Sequence, residues 1–193
     1  MGNREDLLAG AKRCLLEKGY SRTTARDIAA ASGVSLAAIG YHFGSKDALM
    51  NAAMMEAIGE WGDEVENALD VEMPDASPVE RFEAIWERAI RSFAEHRQLW
   101  VASFEMMAQA EHNPQIREYM LTALRLGRLG LAKMFLRMGP EVDPNADERE
   151  ALAIGSFYQA LMSGVMVQYL IEPETTPSAR DLTDALRRAA GCS

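Results

Sequence analysis

The chain has few of the residues on which disulfide-bonded and metal-binding proteins depend. Its 193 residues include two cysteines, Cys14 and Cys192, and three histidines. Two cysteines near opposite ends form neither a disulfide framework nor a CxxC metal site, which favours a reducing cytoplasm. The histidines lack the spacing of metal ligands, so neither a metal nor a cofactor is expected. The first ten residues contain no apolar leader segment, which argues against secretion.

Catalytic signatures are also missing. The sequence contains no HExxH metalloprotease motif and no GxSxG nucleophile elbow. The stretch Gly127-Arg128-Leu129-Gly130 fits neither a P-loop nor a GxGxxG dinucleotide motif, and it falls within a helical pattern. We therefore expect no catalytic residues and a protein that is not an enzyme.

Positive charge is scarce and unevenly distributed. The chain has 20 basic and 29 acidic residues, yet residues 1–50 carry seven basic residues against five acidic ones. Residues 51–193 are therefore strongly acidic. A weakly basic head on an acidic body permits a nucleic-acid-binding surface near the N-terminus and disfavours one elsewhere.

Residues that favour helices dominate, and no alternating strand pattern is sustained, so the expected fold class is all-α. The first helix should cover about 4–18 and end at Gly19, and two short helices should precede a long one that runs towards Leu69. Turn-forming residues at 73–78, 139–147 and 172–177 should separate the later helices. The pattern predicts these helices over about 79–95, 99–110, 115–138, 147–171 and 178–190.

Residues 23–49 have the pattern of a helix-turn-helix. Thr24 can cap a short helix with Asp27 as its capping-box partner, and Gly33 suits the turn because it tolerates unusual backbone dihedrals. Ala29 is small enough for a close crossing of two helices. A second short helix should begin after Ser35. The residues expected in a core shared with the first helix are Ile28, Val34, Ile39 and Phe43.

This segment resembles the DNA-binding domain of the TetR family of bacterial transcriptional regulators. The residues that carry the resemblance are Thr23-Thr24, Asp27-Ile28-Ala29, Gly33-Val34-Ser35, Tyr41-His42-Phe43, Lys46 and Leu49. The resemblance implies an N-terminal three-helix DNA-binding domain, here 1–46, and a C-terminal helical domain, 47–193, for ligand binding and dimerisation. It also implies a cytoplasmic repressor that binds a near-palindromic double-stranded operator as a homodimer and is released by a small molecule.

Carried over onto this chain, the resemblance makes the third helix the recognition helix of the major groove. The candidate DNA-binding residues are Thr24, Arg26, Ser35, Leu36, Ala37, Gly40, Tyr41, His42 and Lys46. Of these, Thr24, Arg26, His42 and Lys46 are expected at phosphates. Gly40 departs from the family pattern, which has a bulky residue there. Because the helix offers few hydrogen-bonding groups to bases, the alternative function is an interaction module that does not bind DNA.

Residues 151–171 carry no charge over 21 positions, which is long enough to span a bilayer. Acidic residues on both sides and the polar residues within favour a buried helix at a subunit interface instead of a membrane span. Small residues at every fourth position allow another helix to approach closely. The candidate dimer-interface residues are Ser156, Ala160, Leu161, Gly164, Val165 and Gln168.

Aromatic residues and methionines in the acidic body suggest a pocket for an apolar or amphipathic effector. Each of these residues taken singly is more often an ordinary core residue. The candidate ligand-binding residues are Trp61, Trp86, Phe93, Trp100, Phe104, Met107, Phe157, Tyr158 and Met162. Glu105 and Gln109 are polar neighbours of this set.

Overall fold

The computed structural model of the protein describes residues 2–73, 75–136 and 148–191. Within these ranges the regular structure is helical throughout, and the all-α prediction is confirmed. The α-helices, in chain order, are α1 (Asn3–Lys18), α2 (Ala25–Ser32), α3 (Leu36–Phe43), α4 (Lys46–Glu72), α5 (Pro78–Glu95), α6 (Arg97–Gln109), α7 (Pro114–Leu136), α8 (Glu148–Ile171) and α9 (Ala179–Ala189). The loop predicted at 139–147, and the end of the helix predicted to reach 138, lie outside the described residues.

The predicted ends of the first helices are confirmed by their capping geometry. α1 ends at Gly19, which has a positive φ of 85°. α2 begins after Thr24, whose side chain accepts a hydrogen bond from the backbone N–H of Asp27 while the Asp27 carboxylate accepts from the Thr24 backbone N–H. α2 ends at Gly33 in the left-handed conformation, with φ 70°, a region in which glycine has no steric penalty.

The chain divides into two compact units, one formed by residues 1–61 with 96–121 and the other by 62–95 with 122–193. The core of the first unit is built by α1 to α4 with α6 and the start of α7. Ile28 and Ile39 are buried in it, and Val34 and Phe43 pack against it, as the helix-turn-helix pattern predicted. The head therefore shares its core with α6 and α7.

A close helix approach within the first unit was not anticipated from the sequence. A Cβ at Gly10 of α1 would lie 2.8 Å from the Cβ of Ser32 and 2.9 Å from its backbone nitrogen. Ala29, the small residue expected at a helix crossing, is half-buried. Gly10 therefore allows α1 to approach the C-terminal end of α2.

The second unit holds a buried charge and a tight helix contact. Arg81 of α5 is 2% exposed; its Nε donates to the backbone oxygen of Met134 at 2.8 Å, and one Nη lies 3.0 Å from the Asp70 carboxylate. A Cβ at Gly155 of α8 would overlap the backbone carbonyl of Arg128 in α7. The packing of α8 on α7 therefore depends on a glycine at position 155.

α8 is long and apolar enough to cross a membrane, by length and composition alone. It is also a packed helix of the second unit, in which Ala151, Gly155, Met162, Val165 and Met166 are buried. The other side of the helix is exposed, with Phe157 at 50% and Ile171 at 80%. α8 therefore has one face in the core and one apolar face without a covering element among the described residues.

Candidate nucleic-acid interface

α2 and α3 place one side of α3 in the core and leave the opposite side open. Ile39 of α3 is 3% exposed, whereas Tyr41 is 86% exposed. The other sequence-predicted groove residues also lie on the surface: Ser35, Leu36, Ala37 and Gly40 are all exposed. A protruding helix with an unpacked face two turns long has the dimensions of a major-groove reader.

Gly40 leaves a gap in this face. A Cβ at this position would have no atom within 4 Å, and the residue lies inside a regular helix. The glycine is therefore not required by packing or by backbone conformation. Its neighbour Tyr41 projects from the same helix, with its ring edge-on to His42 at 4.9 Å between ring centroids.

The basic side chains near α3 differ in whether they contact other groups of the protein. Arg26 is exposed, and no ion pair joins it to any described residue. Lys46 is half-buried: its Nζ lies 2.9 Å from a carboxylate oxygen of Asp47 and 5.4 Å from the ring centroid of Tyr20. Arg4 lies over the ring of Phe43 at 5.1 Å. Arg26 is thus the freest positive charge for a phosphate.

Thr24 is occupied as a helix cap. Its hydroxyl donates to the Asp27 carboxylate at 2.6 Å, and Lys18 lies 2.5 Å from the other carboxylate oxygen. The hydrogen bond from Lys18, together with those from Thr24, holds the pKa of Asp27 well below its usual range. The start of α2 is therefore fixed by an ionised carboxylate at all physiological pH values.

Polar contacts join the head to α6 and α7 within the first unit, and the sequence did not suggest them. The hydroxyl of Ser21 donates to the Glu105 carboxylate at 2.7 Å, and the backbone N–H of Ser21 donates to the same oxygen. The Tyr20 hydroxyl donates to the side-chain oxygen of buried Asn51 at 2.8 Å, and the Tyr119 hydroxyl donates to the Asn51 backbone oxygen. Burial raises the pKa of both tyrosines, so both remain protonated donors.

The sequence-predicted ligand residues fall into both units. Trp61, Trp100, Phe104 and Met107 belong to the first unit, and Trp61 meets Trp100 edge-on at 5.2 Å. Trp86, Phe93, Phe157, Tyr158 and Met162 belong to the second. Within the second unit, Tyr158 stacks on Phe135 at 3.8 Å, and Phe82 lies 6.1 Å from Trp86.

Among the described residues of this set, Trp86 has a buried polar atom that lacks a hydrogen-bond partner. It is fully buried, and its indole N–H has no hydrogen-bond partner among the described residues. A buried donor without a partner costs about 1–3 kcal/mol. No sequence signal distinguishes this tryptophan from Trp61 or Trp100.

The sequence-predicted dimer residues are spread around α8. Ala160, Gly164 and Gln168 are exposed, Ser156 and Leu161 are half-buried, and Val165 is 4% exposed within its own unit. The exposed positions continue in both directions along the helix at spacings of three and four. The resulting face consists of Ala153, Phe157, Ala160, Gly164, Val167, Gln168 and Ile171.

A small N-terminal core that presents α3 beside a capped α2 is the architecture of a helix-turn-helix DNA-binding protein. The comparisons with known proteins agree. The family model described as bacterial regulatory proteins, tetR family, matches residues 7–53. The model described as the tetracyclin repressor-like C-terminal domain matches residues 77–191. The chain therefore belongs to the TetR family of bacterial transcriptional regulators, and the expectation that it is not an enzyme is confirmed by that membership.

One curated relative is the HTH-type transcriptional repressor AcnR of Corynebacterium efficiens, with 41% identity over 56 residues. The match covers 29% of this chain and less than a third, 30%, of that protein. A solved transcriptional regulator from Rhodococcus sp. RHA1 has a TM-score of 0.72 at 16% identity. The match covers 100% of this chain and 97% of the Rhodococcus chain. The multidrug binding protein EbrR, solved with proflavin, has a TM-score of 0.66 at 19% identity. The match covers 97% of this chain and 99% of the EbrR chain. At such identities these structures show a shared fold.

Proposed function

We propose that the protein is a cytoplasmic repressor that binds a near-palindromic DNA operator as a homodimer and is released by an apolar or amphipathic small molecule. The observation that carries the DNA part is the exposed outer face of α3, with Tyr41 at 86%. AcnR, similar to this chain over its N-terminal segment, is a transcriptional repressor by its name. We retain 1–46 and 47–193 as the functional division of the chain.

In this proposal α3 enters the major groove, with Ser35 and Tyr41 able to hydrogen bond to base edges. Leu36 and Ala37 offer apolar contact to thymine methyl groups. Arg26 and Lys46 neutralise phosphates, while His42 contacts the backbone without adding a permanent charge. Thr24 donates its hydroxyl hydrogen to Asp27, so it contributes by fixing the start of α2. Because Gly40 contributes no side chain, DNA shape supplies part of the specificity.

The double variant Arg26→Ala, Lys46→Ala should bind duplex DNA more weakly and with a smaller salt dependence. Each phosphate contact contributes about 0.9 to the slope of log affinity against log salt, so the slope should fall by about 2 for each protomer bound. Operator affinity measured by fluorescence anisotropy at several salt concentrations tests this.

The matched control is Arg180→Ala, which removes an exposed cation on α9. This control should leave both the operator affinity and its salt dependence unchanged. An unchanged slope in the double variant would contradict the proposed DNA surface. The operator itself is first obtained by selecting genomic fragments bound by the purified protein at a stated salt concentration.

The exposed face of α8 supports the homodimer. It presents apolar and small residues, among them Phe157, Ala160 and Gly164, to the outside of the second unit. Acidic residues stand at both ends of the helix, which fits an aqueous protein interface better than a bilayer. A two-fold dimer places two recognition helices roughly 34–36 Å apart, which one turn of DNA requires.

The buried indole N–H of Trp86 supports an effector site in the second unit. Phe82, Phe135 and Tyr158 form a connected aromatic cluster beside it. An aromatic effector that brings a hydrogen-bond acceptor to Trp86 would satisfy the orphan donor, and this gain favours the conformation that binds the effector. This argument narrows the proposed effector from an apolar or amphipathic molecule to an aromatic one that carries a hydrogen-bond acceptor.

Effectors found by screening aromatic compounds for operator release should therefore share an acceptor group. Trp86→Phe keeps an aromatic ring and removes the donor, so such effectors should release the operator about tenfold less effectively. Trp61→Phe is the matched control, and its release curve should resemble that of the wild type. Equal release by all three proteins would rule out Trp86 as the donor.

The polar contacts of the first unit support a route for release. Glu105 on α6 accepts a hydrogen bond from Ser21 of the DNA-binding domain, and Tyr119 on α7 donates one to Asn51 at the start of α4. Any displacement of α6 or α7 on effector binding must either carry the head with it or break these bonds. An effector that prefers the displaced arrangement therefore lowers DNA affinity by the same factor by which DNA lowers effector affinity.

A further inference from the structure

A cleft lies in the first unit, and no sequence-predicted ligand residue is among the residues that line it. It occupies about 530 Å³ between the start of α4 and the start of α7, next to the end of α3. This volume falls within the range of small-molecule sites. Its walls include Phe43 at the end of α3, Asp47 and Asn51 of α4, and Ile116 and Tyr119 of α7.

Asn51 supplies an unused donor to this cleft. The residue is 5% exposed, and its side-chain oxygen already accepts the hydrogen bond from Tyr20. Its side-chain nitrogen donates to no described residue. With its oxygen held by Tyr20, the carboxamide is left with the two donors of its NH₂ group to satisfy, and Asn51 is one of the residues that line the cleft.

Asp47 supplies an acceptor one helical turn away. Asp47 and Asn51 are four residues apart on α4, so their Cβ atoms are neighbours on one face at about 5–6 Å. The Asp47 carboxylate lies 2.9 Å from Lys46 Nζ, and its side chain is 50% exposed. Such an exposed ion pair is weak and leaves the carboxylate able to accept further hydrogen bonds.

The remaining wall suits a flat ring. Phe43 and Tyr119 are half-buried aromatic residues, and Ile116 adds an aliphatic surface. The Tyr119 hydroxyl is engaged by the Asn51 backbone oxygen, so this tyrosine offers its ring and not its polar end. The carboxylate of Asp47 disfavours ligands that carry an acid or a phosphate.

We propose that this cleft binds a small, uncharged or cationic amino-heteroaromatic molecule. A ring nitrogen accepts from the Asn51 carboxamide, and the adjacent amino group donates to Asp47. An adenine edge has this arrangement of acceptor beside amino donor, which is why asparagine pairs with it in other settings. The cleft contains none of the sequence-predicted effector or dimer residues.

Calorimetric titration of the full-length protein without DNA tests the site, with adenine, purine and benzoate as probes. Adenine should bind at least tenfold more tightly than purine, which lacks the amino group, and benzoate should not bind at the same concentrations. Adenine binding that is absent, or no stronger than that of purine or benzoate, would overturn the proposal.

Variants on α4 separate the contributions of the cleft volume, the Asp47 acceptor and the Asn51 donor to adenine binding. Ala48→Phe fills the cleft from an exposed position and should abolish adenine binding, while Asp47→Ala should make adenine and purine bind equally. Asn51→Asp keeps the acceptor for Tyr20 and removes the donor, so it should lower the affinity for adenine at least tenfold. Because Asn51 is buried, melting curves accompany each titration, and the two exposed variants decide the outcome if Asn51→Asp does not fold. Wild-type binding in folded Ala48→Phe contradicts the site.

Discussion

Replacing Gly155 with alanine is expected to destabilise the second unit severely. The added Cβ would occupy the position of the Arg128 backbone carbonyl, and a backbone atom cannot move aside as the end of a flexible side chain can. Overpacking of this kind costs about 1–3 kcal/mol, and the need to shift backbone places this substitution at the upper end of that range. Denaturant unfolding monitored by circular dichroism measures the loss in free energy of unfolding.

Gly130→Ala is the matched control for this substitution. Gly130 lies in α7, is exposed, and has nothing within 4 Å of a built Cβ. Since alanine is the better helix former, this change should stabilise the protein by up to about 1 kcal/mol. If the two substitutions change the free energy of unfolding equally, α7 and α8 do not pack as closely at Gly155 as described.

The substitution Gly164→Trp is expected to abolish the dimer and with it most operator affinity. Gly164 lies on the exposed face of α8, and a Cβ there meets no atom within 4 Å of the same chain. The indole can therefore be accommodated by the isolated protomer but obstructs a second helix. Because two linked heads bind more tightly than one, operator affinity should fall by about 10²–10⁴-fold.

Sedimentation at micromolar concentration and operator titration, performed on the same preparation, measure both effects. Gly130→Trp provides the control, since it adds the same side chain to an equally open helical surface on α7. This control should sediment and bind as the wild type does. A dimeric Gly164→Trp protein would reject the α8 face as the interface, even if the protein is a dimer by another surface.

The helix-turn-helix could be predicted from the sequence because its determinants are local. Thr24 and Asp27 cap α2 within one turn, and Gly33 is the residue that a left-handed turn requires. Such features depend on residues close in the chain, so they need no knowledge of tertiary packing. The exposure of Tyr41 and the burial of Ile39 follow from the same helical period.

For the ligand and dimer sites, the sequence predicts the types of residue involved but not which of them face a pocket or a partner. The apolar period of α8 shows that the helix has two apolar sides, but it does not show which side its own chain covers. Val165 lies in the core and Gly164 on the surface although they are adjacent in the sequence. Phe157, chosen as a ligand residue, lies on the exposed face with Gly164. These two candidate sites stay predictions.

The sequence by itself determined the all-α class, the family and the helix proposed to read DNA, because helical period, capping and turn residues act over a few positions. The tertiary structure alone decided which groups are left without partners. The unpaired N–H of Trp86, the free carboxamide nitrogen of Asn51 and the glycine needed at position 155 all result from contacts between helices distant in the chain. Whether a polar atom is satisfied, or a Cβ fits, depends on those distant neighbours, and no local pattern contains them.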